Sequence, residues 1–257
     1  MGDHHPAPAQ GAIRSRDDVR AMFDRIVPRY DLMNQLMTGG RDAAWRHLAV
    51  REALRDRNRA DVRVLDVATG TGDLALALRA AGAADVVALD FSASMLEEAM
   101  RKEATAIGER RITWVAGDAM SLPFPDESFD AVTVAFGLRN MPSYLAAMRE
   151  MGRVLRQRGT LVCLETTPLQ VPLLRSIFDW YFARIVPLVG GLLSGDPDAY
   201  RYLPASAAAF PDADALGRLM LEAGFSHVRY LRLGLGTVAL HVANKPAVRR
   251  PLSEAAN

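Results

Sequence analysis

The chain has 257 residues, half of them hydrophobic, which is enough for one large domain with a sizeable core. Its 31 basic and 30 acidic residues leave a net charge of +1, so composition gives no reason to expect a nucleic-acid partner. The single cysteine, Cys163, excludes a disulfide framework and a cysteine-based metal site, and we predict no bound metal. Cys163 lies in an apolar run and is predicted to be a buried strand residue. This cysteine usage is typical of a reducing cytoplasm, where we expect the protein.

The two ends of the chain are predicted to be disordered tails, over residues 1–16 and 247–257. The first of these lacks the apolar core of a secretory signal. The residues between them, 17–246, are predicted to form one domain. No run of about 18 apolar residues occurs in the chain, so we predict no membrane-spanning helix.

The segment before the first predicted strand has helical apolar spacing. Residues 17–37 carry this spacing with Pro28 in the middle, which predicts two short helices joined near the proline. Residues 42–57 have the pattern of a further amphipathic helix. The whole segment 17–57 is therefore expected to form a helical cap on the domain.

From residue 62 onward, strand-like and helix-like segments alternate. Strands are predicted at 62–67, 85–90, 111–116, 129–136 and 159–165, with helices at 73–81, 93–107 and 142–155. The apolar runs of these strands are nearly continuous, which is typical of a parallel sheet covered by helices on both faces. The crossovers between the strands are expected to be right-handed.

The alternation of strand-like and helix-like segments ends after residue 168. Residues 168–210 are predicted to be a helical insertion, rich in aromatic residues and prolines. A last helix, 212–223, ends at a plausible C-cap glycine. Two strand-like runs, 226–233 and 236–243, are joined by a short glycine-containing loop, which predicts an antiparallel hairpin at the sheet edge. The predicted fold is therefore α/β, with a mostly parallel seven-stranded sheet and an antiparallel last strand.

The first predicted strand runs into a glycine-rich turn with the sequence ATGTGD, residues 68–73. Gly70 and Gly72 permit backbone angles and a close approach that side chains would forbid. In open α/β sheets, ligands bind at this end of the strand. Asp90 ends the second strand, where a carboxylate can accept hydrogen bonds from ribose hydroxyls. These features allow a nicotinamide cofactor as one candidate ligand.

The acidic residues around this turn favour a different ligand. Asp73 lies where the pyrophosphate of a dinucleotide would sit, and Asp66 adds a second negative charge close by. S-adenosylmethionine has no phosphate, and it carries a sulfonium and an ammonium. Asp118, after the third strand, is placed to reach an adenine amino group, although a helix-capping role is the alternative. We therefore predict S-adenosylmethionine as the cofactor.

Longer sequence motifs indicate a more specific family of proteins. The run from VLDVATGTGD to GDAMSLPFPDESFDAV resembles the core of class I S-adenosylmethionine-dependent methyltransferases, which have a Rossmann-like fold. Three flanking segments closely resemble the UbiE/MenG family, the C-methyltransferases of menaquinone and ubiquinone biosynthesis. They are FDRIVPRYDLMNQLMTGG with the following Trp45, FGLRNM at 136–141, and residues 194–216. Two departures are Arg41, in place of the family's usual histidine, and RQRGT at 156–160, in place of a Lys-Pro-Gly-Gly turn.

The resemblance covers essentially the whole chain after residue 17 and implies a cofactor site and a substrate. The predicted cofactor-binding residues are those of the turn and the strand before it, the acid expected at the ribose, and the two residues expected near the adenine. They are Asp66, Gly70, Thr71, Gly72, Asp90, Asp118 and Ala119. The implied substrate is a polyprenylated quinol. We favour demethylmenaquinol, with a methoxy-polyprenyl-benzoquinol as the alternative.

Three residues are candidates for the catalytic chemistry. Arg139 follows the fourth strand and is placed to stabilise a quinolate anion or to orient a water, although a salt bridge is the alternative. Asp31 belongs to the segment that would close over the pocket. His241 on the last strand is a candidate base because imidazole titrates near neutrality, and a satisfied strand histidine is the alternative. The predicted substrate-binding residues are Tyr30, Asn34, Asn140, Tyr200 and Arg201.

The long tail of the implied substrate leads us to expect peripheral contact with the inner face of the cytoplasmic membrane. The aromatic and apolar helical face of residues 168–195 would make this contact, shield the pocket or receive the tail, or else serve as a core or homodimer helix. Two other function classes stay open at this point. One is a nicotinamide-dependent oxidoreductase, which cofactor titration would distinguish from a methyltransferase. The other is a non-catalytic binding protein, which a turnover assay would distinguish from an active enzyme.

Overall fold

A computed structural model of the protein describes residues 16–106, 111–168 and 206–247. Within these ranges the helices are α1 (Arg16–Thr38), α2 (Asp42–Ala53), α3 (Asp73–Ala80), α4 (Ala93–Thr105), α5 (Tyr144–Val154) and α6 (Ala213–Glu222). The strands are β1 (Arg63–Val67), β2 (Asp85–Asp90), β3 (Thr113–Ala116), β4 (Phe129–Ala135), β5 (Leu155–Thr166), β6 (Ser226–Leu233) and β7 (Val238–Asn244). Two 3₁₀ turns occupy Leu138–Asn140 and Gly234–Gly236. The predicted insertion and both predicted tails lie almost entirely outside the described residues.

The described strands form one seven-stranded sheet with the order β3-β2-β1-β4-β5-β7-β6. Strands β1 to β5 pair in parallel, and β7 is antiparallel to both of its neighbours, β5 and β6. This confirms the predicted mixed sheet. The chain winds outward in one direction from β1 to β3 and in the other direction from β4 to β5. The strand order therefore reverses between β1 and β4, and in open α/β sheets a ligand crevice forms at such a point.

Apolar side chains are buried on both faces of the sheet, as the continuous apolar runs predicted. On one face Met148 and Met151 of α5 and Met220 of α6 pack against strand residues. On the other face Leu78 of α3 and Trp45 of α2 do the same. Each buried side chain of this size stabilises the fold by about 1.5–3 kcal/mol. The strands thus form a fixed platform, and variable geometry is left to the loops at its edges.

The helices of the described segments differ in one respect from the prediction, because α1 is not divided. Two short helices were expected over residues 17–37, but α1 runs unbroken from Arg16 to Thr38. Pro28 costs the helix a backbone hydrogen bond. Tertiary contacts compensate, since Met22 and Phe23 are buried against the domain, and polar contacts described below hold the helix on both sides of the proline. None of the described helices combines the length and the apolarity that crossing a bilayer would require.

Gly72, the residue before α3, is required by both backbone conformation and packing. Its φ is +82°, in the left-handed region that side chains rarely adopt. A Cβ added there would lie 2.7 Å from Cη2 of Trp114 and 2.9 Å from Cβ of Ala99. The turn can therefore approach β3 and α4 closely only because position 72 has no side chain.

We expect Gly72→Ala to lower the free energy of unfolding by about 2–5 kcal/mol, since it adds strain and overlap together. Gly39→Ala is a matched control, because Gly39 has a φ of +60° but no atom within 4 Å of an added Cβ. Strain alone should cost that variant about 1–2 kcal/mol. Urea titration of both variants measures the difference, and equal losses would show that the close packing around Gly72 contributes nothing.

Candidate active site

A cavity of about 240 Å³ opens where the carboxyl ends of β1, β2 and β4 meet, with α1 along one side. It lies at the point where the strand order reverses. The predicted site residues that line it are Tyr30, Gly70, Asp90, Asp118, Ala119 and Asn140. They come from five separate segments of the chain, and the fold brings them into one cleft.

Asp90 ties the end of β2 to the glycine turn. Its Oδ2 accepts a hydrogen bond from the backbone N–H of Gly70 at 2.7 Å, and its Oδ1 accepts one from the N–H of Ser92 at 3.0 Å. Burial raises the pKa of Asp90, and these backbone hydrogen bonds oppose the rise. The N–H of Gly70 is thus already bound to a carboxylate, and a pyrophosphate would have to displace it.

Asp66, near the end of β1, is buried directly beneath the turn, with 1% of its surface exposed. Its two oxygens accept hydrogen bonds from the hydroxyls of Thr69 and Thr133, both at 2.6 Å. Burial raises the pKa of Asp66 from 3.8 to about 6, against the lowering effect of these hydrogen bonds. The turn therefore rests on a carboxylate that neutral hydroxyls hold in place.

Asp118 and Ala119 form the wall of the cleft that follows β3. The Oδ1 of Asp118 accepts a hydrogen bond from the N–H of Met120 at 2.8 Å, so the side chain closes a tight turn. Within the described segment 111–168 no helix begins beside this residue, and the helix-cap alternative does not apply.

Asp31 fastens α1 to the glycine turn and does not line the cleft. Its Oδ1 accepts a hydrogen bond from the Thr71 hydroxyl at 2.7 Å, and its Oδ2 lies 2.5 Å from the Lys102 ammonium. Lys102 also reaches Asp73 Oδ1 at 2.7 Å, so helices α1, α3 and α4 meet at one charged cluster. A carboxylate engaged in this way holds the helix in position, and we assign Asp31 no role as a proton acceptor.

A second polar contact holds the first half of α1. The Ser92 hydroxyl donates a hydrogen bond to Asp24 Oδ1 at 2.5 Å and caps α4 by accepting one from the N–H of Met95 at 3.1 Å. Asp24 and Asp31 lie on opposite sides of Pro28. Both halves of α1 are therefore fastened to the domain, which explains why the proline does not divide the helix.

Arg139 forms a buried ion pair with Glu165, near the end of β5. The backbone N–H of Arg139 also donates to Glu165 Oε2 at 3.3 Å. The guanidinium lies over the ring of Phe136, 5.9 Å from its centroid, and Phe136 lines the cleft. Burial raises the pKa of the Tyr30 phenol, and the charge of Arg139 acts against that rise. Arg139 thus lies just behind the cleft wall, and it forms the salt bridge that was the alternative to a catalytic role in the sequence analysis.

The structure does not bring His241 to the cleft. It is fully buried in the middle of β7, opposite Cys163 of β5, which is itself buried as predicted. The His241 Nε2 lies 2.8 Å from the carbonyl oxygen of Ala213, so it must carry the proton and donate it. Burial lowers the pKa of His241. This is a buried strand histidine, as in the alternative interpretation, but only its Nε2 is satisfied, since its Nδ1 has no hydrogen-bond partner among the described residues. We assign it no catalytic role.

The other predicted site residues, and the family departure Arg41, lie in three places. Asn34 is buried on α1, one turn beyond Tyr30, but does not line the cleft. Arg41 is exposed at the start of α2. Tyr200 and Arg201 lie outside the described residues.

Sequence reasoning missed three charged side chains that surround the predicted ones. They are Arg46, Lys102 and Glu165. Glu165 carried a usable signal, since an acid near the carboxyl end of an otherwise apolar strand has to be compensated. Arg46 and Lys102 carried none, because helical spacing does not distinguish a surface cation from one that faces a neighbouring loop.

The sheet order, the glycine turn after β1 and the acid at the end of β2 define the class I methyltransferase fold. A solved structure of an S-adenosylmethionine-dependent methyltransferase from Thermotoga maritima matches with a TM-score of 0.59 at 19% identity. The match covers 88% of this chain and 99% of that one. At this identity the likeness supports the fold alone.

The chain belongs to the ubiE/COQ5 methyltransferase family, whose model matches residues 11–245. It is 48% identical over 227 residues to the demethylmenaquinone methyltransferase of Thermus thermophilus, a match covering 88% of this chain and 100% of that protein. It is 40% identical over 224 residues to the ubiquinone/menaquinone biosynthesis C-methyltransferase UbiE of Paracoccus denitrificans, covering 87% and 88%. The protein is therefore a methyltransferase, and the oxidoreductase alternative is excluded.

The buried carboxyl of Asp66 should make stability depend on pH. Its pKa is 3.8 in the unfolded chain and about 6 in the fold, so the folded state holds the proton more tightly. The resulting stabilisation is complete below pH about 4 and is lost as the pH rises through about 6, a loss of about 2–3 kcal/mol. We expect urea titrations between pH about 4 and about 7.5 to show this fall, and Asp66→Asn to reduce it to the part contributed by Asp90, whose pKa burial also raises.

Thr133→Val provides the matched control for that experiment. It keeps the carboxyl but removes one hydrogen bond that lowers the pKa of Asp66, so the fall should become larger and extend to higher pH. Parallel stability curves for the parent protein and Asp66→Asn would show that the carboxyl does not titrate in this range.

Proposed function

We propose that this methyltransferase transfers a methyl group from S-adenosylmethionine to a ring carbon of demethylmenaquinol. The observation that carries the proposal is the relative from Thermus thermophilus, named for this activity and matched over its whole length at 48% identity. The methoxy-polyprenyl-benzoquinol of ubiquinone biosynthesis is the second candidate substrate. It is favoured by the relative from Paracoccus denitrificans, whose name covers both quinones.

The residues of the cleft fit S-adenosylmethionine by their chemistry. Asp90 offers a buried carboxylate to ribose hydroxyls, and Asp118 with Ala119 would contact the adenine. Asp66 and Asp73 bring negative charge to the turn, where the ligand carries positive charge. A dinucleotide fits poorly, because these acids and the occupied N–H of Gly70 disfavour a phosphate.

The chemistry requires a carbon nucleophile. S-adenosylmethionine supplies an electrophilic methyl group on a sulfonium. A quinone ring is electron-poor and cannot attack it, whereas loss of a phenolic proton from the quinol raises the electron density of the adjacent ring carbon. The protein must therefore favour the quinolate form, align the reactants and keep water away.

Two parts of the described structure suit these tasks. The aromatic rings of Phe23 and Tyr30 on α1 line one side of the cleft, where they would help to keep water from a bound substrate. Arg139 places a buried positive charge behind Phe136, where it would stabilise a quinolate oxygen or orient the water that takes the proton. Glu165 would keep that guanidinium in position.

The prenyl tail of such a substrate resides in a lipid bilayer, so we also propose peripheral contact with the cytoplasmic membrane. The segment predicted to make this contact, 168–195, lies outside the described residues except at its first position. A homodimer likewise stays a prediction.

The reduced-substrate requirement gives the first test. With S-adenosylmethionine and a short-chain demethylmenaquinone analogue, we expect a ring-methylated product by mass spectrometry only when a reductant is present. Equal product without reductant would contradict the carbon-nucleophile mechanism. Turnover of the benzoquinol analogue alone would instead assign the second substrate.

We expect Arg139→Met to lower kcat by about 10²–10³-fold, with the Kd for S-adenosylhomocysteine within about twofold of the parent value. Arg156→Met is the matched control, since Arg156 is an exposed arginine at the start of β5. Because Arg139→Met leaves Glu165 buried without its partner, the double variant Arg139→Met/Glu165→Gln removes both charges and should fold normally. An unchanged kcat in the double variant would contradict the role of Arg139.

A further inference from the structure

A second, smaller cavity of about 20 Å³ adjoins the cleft on the far side of the glycine turn. The two cavities share Tyr30, Ala68 and Phe136 in their walls, so they adjoin along the turn, and a ligand reaching from the cleft into the smaller one would have to widen it. The smaller cavity, here called the side pocket, is further lined by Arg46, Asp66, Thr69, Thr71, Asp73, Leu74 and Ala135. The geometry points to Arg46 as the residue that binds the carboxylate at the methionyl end of S-adenosylmethionine.

The sheet order sets the direction in which the cofactor would lie. The walls of the cleft follow β3 at Asp118, β2 at Asp90, β1 at Gly70 and β4 at Phe136, in the spatial order of these strands. A nucleoside held at Asp118 and Asp90 therefore points its other end toward β1 and β4. The side pocket lies at that end. The inference rests on the proposed function, because it takes the ligand of the cleft to be S-adenosylmethionine.

The side pocket carries both signs of charge, as an amino-acid end requires. Asp66 and Asp73 offer carboxylates for an ammonium, and Arg46 offers a guanidinium for a carboxylate. Arg46 is only 8% exposed, yet the contacts it makes with acids, to Asp42 and to Asp73 at 3.4 Å, use a single nitrogen, Nη1. A guanidinium has five N–H donors, so Arg46 retains donors for a ligand in the pocket that it lines.

Other cations near the turn are placed differently. The Lys102 ammonium has three donors, and it already contacts Asp31 at 2.5 Å, Asp73 at 2.7 Å and the Thr71 hydroxyl at 2.9 Å. Arg139 is paired with Glu165. Among the cations of the described residues, Arg46 is the one that lines the side pocket.

The test compares two ligands that share the nucleoside. S-adenosylhomocysteine has the amino-acid end, and 5′-methylthioadenosine lacks it. By isothermal titration calorimetry we expect Arg46→Met to raise the Kd for S-adenosylhomocysteine by about 10–100-fold. The Kd for 5′-methylthioadenosine should stay within about twofold of the parent value. Arg46→Lys should be intermediate, because it keeps the charge but loses the planar fork. Arg51→Met, an exposed arginine on the same helix, is the matched control and should change neither affinity.

The outcomes separate the inference from the proposed function. Equal weakening of both ligands would assign Arg46 a structural role and overturn the inference, as would unchanged binding of S-adenosylhomocysteine. A parent protein that binds neither ligand would overturn the proposed cofactor as well. Should Arg46→Met fail to fold, an analogue of S-adenosylhomocysteine without the carboxyl group tests the parent protein directly. We expect it to bind at least about tenfold more weakly, with a smaller gap in Arg46→Lys, and equal affinity would overturn the inference.

Discussion

The compensation of buried carboxylates near the carboxyl ends of the parallel strands is the constraint on which the site depends. Asp66, Asp90 and Glu165 are each buried near the end of a strand, where an isolated carboxylate would cost several kcal/mol. Each is compensated in a different way: by threonine hydroxyls, by backbone amides, and by an arginine. Apart from Thr133, which lies within β4, the partners of all three come from the segments that follow the strands at the same edge of the sheet. Satisfying the acids therefore fixes the loops, and the fixed loops form the cleft.

The same edge of the sheet also determines where α1 lies, because the helix is held by residues that follow β1 and β2. Polar contacts at Asp24 and Asp31 hold this helix over the glycine turn. A Cβ on Gly70 would lie 3.6 Å from the Tyr30 ring, an ordinary van der Waals distance, so the glycine is required by its φ of +57° and not by the nearness of the helix. The turn consequently serves two purposes. It leaves room for a ligand on one side, and it receives the helix that covers that ligand on the other.

The site divides into two halves along the sheet. The side of β1, β2 and β3 presents the carboxylates of Asp90 and Asp118 to the cleft, a lining that suits a cationic, phosphate-free nucleoside and agrees with membership of the ubiE/COQ5 methyltransferase family. The side of β4 and β5 presents the ion pair of Arg139 and Glu165. The pair is neutral as a whole, and its guanidinium end lies over the Phe136 ring of the cleft wall, where it would favour an anionic group in the cleft.

The sequence by itself determined the features that depend on local order along the chain. Continuous apolar runs and the helices between them predicted the seven strands, their directions and the glycine turn, with boundaries within a few residues except at the start of β5. The motif spacing also predicted the acids of the cleft. These features can be predicted from the sequence because hydrophobic periodicity and turn chemistry act over a few residues.

The tertiary structure decided what each polar side chain contacts. Asp31 pairs with Lys102 and Thr71, His241 donates to a backbone carbonyl in the core, and Arg139 is paired with Glu165. Each partner lies 26 or more residues away along the chain. The unbroken course of α1 through Pro28 has the same origin, since contacts with α4 and the glycine turn outweigh a local rule. Only the folded chain brings such partners together, because their proximity depends on the packing of whole elements and not on spacing in the sequence.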